Sequence, residues 1–269
     1  MIYNLKFITQ LIVFVAIILT SCRRKDTFLI QKNELSIEQK IDATDLDSFL
    51  PSSNYNQIIK HQFFTLSYAE KYEQAEWVAY KLVSNLNRGT HYRRPYFVED
   101  NLVETKSADW RNYKKSGYDK GHLCPAGDMS FSETAFRETF YTSNISPQKH
   151  DFNSGIWNVL EQKVRYWSQK YKSLYVITGP VLTAELAEIG TEQVAVPNYF
   201  FKVLLSTATN PPKMIAFLVP SVDSKKPLYK FTVTVDSLEK ITNIDFFPNL
   251  PDKLERSLEQ NSNYKDWSF

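Results

Sequence analysis

Gly117-Tyr118-Asp119-Lys120-Gly121-His122-Leu123-Cys124-Pro125-Ala126-Gly127-Asp128-Met129 is the stretch on which the reading of this chain turns. It sets a histidine, the side chain best suited to proton transfer near neutral pH, beside Asp119 and Lys120 in what reads as a polar loop. The chain has only 7 glycines, and Gly117, Gly121 and Gly127 all fall here, as expected where the backbone needs unusual conformations or close approach. Downstream come Ser143-Asn144-Ile145-Ser146-Pro147-Gln148, then Asp151-Phe152-Asn153-Ser154-Gly155-Ile156-Trp157 and Leu160-Glu161. A histidine base, asparagines, a glutamate on a following helix and nearby Lys and Arg are the parts needed to hydrolyse a phosphodiester with one hard metal ion.

The helix that follows the motif is the clearest in the chain. Ile156, Leu160, Val164, Trp167 and Tyr171 recur at steps of four and three, a buried stripe on a helix from Phe152 to about Tyr171. Asp151 or Asn153 is placed to cap its start. On a regular helix Glu161 lies about 80° around and about 12 Å along from Asn153, with Arg165 a further 40° or so on, all flanking the stripe. That separation is long for two direct bonds to one ion. Mg²⁺ keeps several waters, so Asn153 reads as the direct ligand and Glu161 as the residue holding metal-bound water.

Taken together, these motifs resemble the sugar-non-specific DNA/RNA endonuclease family of ββα-metal fold, in which the first motif usually reads Asp-Arg-Gly-His. Lys120 stands where that Arg is usual; it keeps the charge and loses the bidentate fork. The resemblance implies His122 as general base, Asn153 as the metal's protein ligand, Glu161 as its outer partner, and Mg²⁺ as the ion, with Mn²⁺ as a substitute. It also implies a phosphate-contacting arginine at Arg93, in the spacing Arg93-x-x-x-Phe97-x-x-Asp100, and another at Arg165. Asn144 is expected to anchor the site by hydrogen bonds. Thr178-Gly179-Pro180, Phe201-Lys202-Val203 and Asp245-Phe246-Phe247-Pro248 also look like family segments and read as structural marks. His61, His91 and His150 have no supporting constellation; His150 lies nearest the motif. The substrates implied are DNA and RNA, held through phosphates with little sequence preference. The alternatives are a narrower phosphodiesterase of the same fold and a surface lipoprotein that binds without catalysis.

The remaining sequence is consistent with one α+β domain carrying an antiparallel sheet flanked by helices. Runs rich in β-branched and aromatic residues at Phe63–Tyr68, Trp77–Val83, Leu174–Thr178, Tyr199–Ser206, Met214–Val219 and Tyr229–Val235 read as strands. Charge excludes little: 32 basic against 30 acidic residues leave +2, and the local excess from Arg88 to His122, 8 against 5, is modest. The apolar run Phe7–Leu19 is too short to span a bilayer, which takes about 20 apolar residues. It fits a signal-peptide core, and Leu19-Thr20-Ser21-Cys22 resembles a bacterial lipobox with Cys22 as the lipidated residue. Three segments are expected: a signal peptide over 1–21, a polar tether over 22–57 and the catalytic domain over 58–269, anchored to a membrane outside the cytoplasm. With Cys22 lipidated, Cys124 has no disulfide partner and reads as a small buried apolar residue; His122-x-Cys124 as half a zinc site is the weaker reading.

Overall fold

The computed structural model describes residues 43–84, 92–262 and 264–269. Its frame is a seven-stranded sheet in the order β1-β2-β3-β6-β9-β10-β11 in which every neighbour is antiparallel. The strands are β1 (Gln57–Lys60), β2 (Thr65–Ala69), β3 (Gln74–Val83), β6 (Ser173–Pro180), β9 (Tyr199–Ser206), β10 (Lys213–Pro220) and β11 (Thr232–Val233). Central strands are apolar on both sides, so both faces of the sheet are covered. In β9, Phe201, Val203 and Leu205 point to one face, where Trp77, Tyr175, Ile177 and Met214 join them. Helix α1 (Ala43–Asp47) closes this layer through Leu46, and α5 (Val235–Thr242) closes it through Val235 and Leu238.

The opposite face carries the chemistry. Phe200 of β9 stacks on Phe152 (5.4 Å) and meets Trp157 (5.7 Å), and Phe217 of β10 stacks on Trp167 (6.0 Å). Trp167 belongs to α4 (Asn158–Lys170), whose Leu160, Val164 and Trp167 are buried as the stripe expected; Phe152 and Trp157 come from the residues just before it. Burying a side chain such as Leu160 or Val164 contributes about 1.5–3 kcal/mol. Beside this layer lies a small two-stranded ladder, β4 (Asp119–His122) with β5 (Ile145–Gln148), in the register Asp119↔Gln148 to His122↔Ile145. Helix α2 (Glu133–Glu138), capped by Ser132, lies between these two strands in the chain. A second ladder pairs β7 (Ala187–Ile189) with β8 (Val194–Val196). The short helix α6 (Asp252–Glu259) follows α5.

Four expectations change. Asp119–His122 is a strand, not loop, because its backbone pairs with β5 despite its polar side chains. The expected helix from Phe152 is three pieces: α3 (His150–Phe152), a wide turn over Asn153–Trp157, and α4. Its start is preceded by Lys149 with no side-chain cap, so neither Asp151 nor Asn153 serves there. Tyr229–Val235 is a 3₁₀ turn (Leu228–Phe231), two strand residues and the start of α5; Thr234, inside the apolar run, caps that helix by accepting from Ser237 N (3.1 Å).

The polar tether is also shorter than expected. Leu46, Phe49 and Leu50 pack into the core, and Trp77 Nε1 donates to Ser52 O (2.9 Å). Buried Glu76 receives Ser53 Oγ (2.9 Å), Asn54 N (3.0 Å) and Asn54 Nδ2 (2.9 Å) as well as Ser67 Oγ (2.6 Å). Residues 43–57 therefore belong to the domain. The signal-peptide and lipidation expectations, Cys22 included, and Arg88 and His91 fall outside the described residues.

Candidate active site

Strand β4 positions His122. Its ladder with β5 is tight because residue 121 is glycine; a Cβ there would overlap the buried Gln148 side chain. Beyond the strand, Leu123 N donates to Asn144 O (3.0 Å) and Cys124 N to Asn144 Oδ1 (2.8 Å). Asn144 Nδ2 donates to Cys124 O and Thr139 O, both 2.9 Å. Fully buried, Asn144 spends its amide on backbone groups, so it fixes the course of the chain just after His122 and touches no reacting atom.

His122 lies with its ring 5.6 Å from Phe97 and 5.1 Å from Phe140. The residue is half-buried, yet its Nε2 is sealed from solvent and has no hydrogen-bond partner among the described residues. Burial first, and Arg94 second, push its pKa down to about 4, well below the value near 6.5 that the motif alone suggested. At neutral pH the imidazole is uncharged and ready to accept a proton.

Asp119 faces the wide turn. Its Oδ2 accepts from Asn153 Nδ2 (3.0 Å) and lies 2.9 Å from His150 Nδ1. His150, unassigned on sequence grounds, thus joins the site through Asp119. Gly155 breaks the helical path at φ −94°, ψ −116°, and a Cβ there would run into the Asp223 carboxylate. Such wide turns inside helices are frequent at functional sites, and Asn153 is the first residue of this one.

Further along, α4 carries Glu161 and Arg165 into a buried charge cluster. Arg165 Nη1 bonds Asp128 Oδ1 (2.8 Å), and Tyr80 OH donates to Asp128 Oδ2 (2.8 Å). Desolvation raises the Glu161 pKa to about 7; Lys202 opposes that, Asp128 adds to it, and Arg165 opposes it. Lys202 is fully buried, 4.9 Å over the Trp157 ring, its Nζ without a hydrogen bond among the described residues. Burial lowers its pKa, with Glu161 the largest opposing influence. Among the described residues no hydrogen bond joins this cluster to the Asp119–Asn153 pair.

Sequence reasoning missed Lys202 and Asp128. The signal was available: a lysine inside the apolar strand Tyr199–Ser206 is costly unless it answers buried acid.

In front of the ladder opens a groove of about 1220 Å³ lined by Arg93, Arg94, Tyr96, Phe97, Trp110, Lys120 and Arg137, among others. Lys120 lies 5.5 Å over Phe97 and 5.9 Å over Trp110, and burial with Arg94 lowers its pKa. Arg93 is exposed on the groove wall. Two of the expected phosphate contacts therefore share one concavity, while Arg165 is tied to Asp128.

The donors fit a hard cation. Asn153 commits its Nδ2 to Asp119, which orients the amide oxygen, and Asp119 and Glu161 add carboxylates. Soft-metal chemistry does not fit: burial holds the Cys124 thiol protonated, well above its usual range. The other acidic group, Asp236, Glu239 and Glu259, lies on α5 and α6.

The profile of the DNA/RNA non-specific endonuclease family matches residues 46–253. The chain belongs to that family. It is 34% identical over 209 residues to the mitochondrial nuclease EXOG of Danio rerio, covering 70% of this chain and 61% of the relative. Human mitochondrial endonuclease G is 34% identical over 209 residues, covering 72% and 70%. A nuclease of Syncephalastrum racemosum is 33% identical over 252 residues, covering 85% and 77%. The family's fold is evident in the structure of an EndoG/EndoGI complex, which matches with a TM-score of 0.70 at 27% identity over 78% of this chain and 92% of that one. The match spans less than two thirds of the EXOG relatives of Danio rerio and human, 61% and 55%.

Proposed function

We propose that this protein is a metal-dependent endonuclease that hydrolyses DNA and RNA with little sequence preference. The observation that carries this reading is the groove of about 1220 Å³ lined by Arg93, Arg94, Lys120 and Arg137, with Arg94 near enough to the His122 imidazole to lower its pKa. Cations of this kind hold phosphates and read no sequence. Water made nucleophilic by His122 attacks phosphorus and its proton passes to the imidazole; the P–O bond to the leaving sugar oxygen breaks, that oxygen takes a proton from solvent water, and the imidazolium returns its proton to solvent. General-base assistance of this kind supplies about 10²–10⁴-fold. Arg93 and Lys120 hold the phosphate oxygens, and Asp119, bonded to Asn153, keeps the amide oxygen aimed. Asn153 would hold Mg²⁺, with Glu161 and Asp119 gripping its water shell; when bound, the ion stabilises charge developing on the phosphate. Lys202 opposes the burial that raises the Glu161 pKa to about 7.

Digestion of a plasmid and of an RNA, with Mg²⁺ and with EDTA, tests the reading. Both should be degraded only with the metal, and both should survive His122→Ala. Degradation unchanged by EDTA would remove the metal from the scheme.

The lipobox-like Leu19-Thr20-Ser21-Cys22 supports a second part of the proposal: attachment to a membrane outside the cytoplasm through Cys22. That placement keeps a non-specific nuclease from the cell's own chromosome. The full-length protein should partition into detergent, and Cys22→Ser should abolish that. Mass spectrometry finding an unmodified Cys22 on an uncleaved chain would refute the anchor.

A further inference from the structure

Tyr96 is the most solvent-exposed large hydrophobic side chain among the described residues, 89% exposed. It lines the groove together with Arg93 and Arg94, which precede it in the chain, and with Lys120 and Trp110. The backbone beneath it is held firmly. Pro95 stiffens the chain, and Phe97, the next residue, is buried. Val98 N donates to Phe140 O (3.2 Å) and Thr142 N to Val98 O (2.9 Å), which clamps this segment onto the chain leading to β5. Arg94 lies over Phe97 (5.4 Å) and Phe140 (5.7 Å). No ring among the described residues stacks on Tyr96. The groove thus presents a free aromatic face at low entropic cost, flanked by cations for the backbone of a strand. Trp110, partly exposed, presents a second ring on the same groove, already faced by Lys120.

Cations plus a free π-face are the two components that hold single-stranded nucleic acid. A paired base offers only its edges, because its faces are covered by its neighbours in the stack. Only an unpaired or extruded base can lie on Tyr96. We infer that Tyr96 is a base-stacking residue that biases this enzyme toward unpaired segments of its nucleic-acid substrate. The inference rests on the nuclease reading and adds the conformation of the substrate to it.

The test uses a single-stranded oligonucleotide and a hairpin duplex of the same base composition. The wild-type enzyme should show a higher kcat/KM on the single strand. Tyr96→Ala should lower the single-strand to duplex ratio by about 5- to 150-fold, the loss expected for one base–aromatic stack, expressed mainly in KM. Tyr96→Phe, which keeps the ring face, should retain the ratio. Anisotropy with the His122→Ala protein separates binding from cleavage: it should bind the single strand more tightly, and adding Tyr96→Ala should erase that advantage. An equal loss on both substrates, or no loss on either, would overturn the stacking role. A wild-type protein that binds as stated and cuts neither substrate would instead sink the nuclease reading alone.

Discussion

His122 shows how far an environment moves a side chain from its solution chemistry. An exposed imidazole titrates near 6.5; here burial and Arg94 bring it to about 4. Between those values an unfolded chain takes up a proton that the folded chain refuses. The group's contribution to stability is therefore complete above 6.5 and is lost as pH falls toward about 4. The same depression governs rate. The acid limb of kcat/KM assigned to His122 should lie below 6.5, and His122→Ala should cost at least about 10²-fold at neutral pH. An acid limb at or above 6.5 would show that the nitrogen is not sealed in the working enzyme. The motif singled out His122 as the candidate base, but its acidity was not legible there, because Phe97, Phe140 and Arg94 come from other segments.

Asn153 opens the wide turn Asn153–Trp157. The apolar stripe marked a helix here and did mark α4, yet periodicity of buried residues cannot register one non-helical glycine. Gly155→Ala should press a methyl into Asp223 and force the turn toward regular helix. Asn153 would then shift by about an ångström, a displacement that can cost about 10²-fold in rate. Circular dichroism should remain near wild type while activity falls; equal activity would mean the turn has no aiming role. Helices α5 and α6 respond to pH in the opposite sense from His122. Buried Glu259, facing Glu239, Glu255, Asp236 and Asp245, has its pKa raised to about 8, by desolvation first. Its contribution to stability is full below the ordinary carboxylate value near 4.3 and is lost as pH rises through about 8. Glu259→Gln should raise the melting temperature at pH 9 relative to wild type and change it little at pH 5.

Across the whole molecule, the domain begins by Ala43. Removing residues 43–57 would take away Leu46 and Phe49 from the core and strip Ser53 and Asn54 from buried Glu76. An unsatisfied buried acceptor costs about 1–3 kcal/mol, and more when charged. A chain starting at Ala43 should melt cooperatively and cut nucleic acid, whereas one starting at Ile58 should unfold at clearly lower denaturant concentration. Equal midpoints would return residues 43–57 to the tether.

Pattern and spacing alone were enough for an α+β domain, for the α4 stripe and for the strand Tyr199–Ser206. Those are local features: backbone periodicity and residue chemistry are carried by neighbours in the chain. Residues 46–56 look polar and aperiodic because their partners are Glu76, Trp77 and Asp245, far along the chain. Asp119–His122 does not alternate like a strand because β5, not a hydrophobic face, holds it. Lys202 reads as an oddity in an apolar strand until the fold sets it within reach of the field of Glu161. Burial, charge pairing and the groove were decided only by tertiary structure, since each is a property of atoms brought together from segments that sequence order keeps apart.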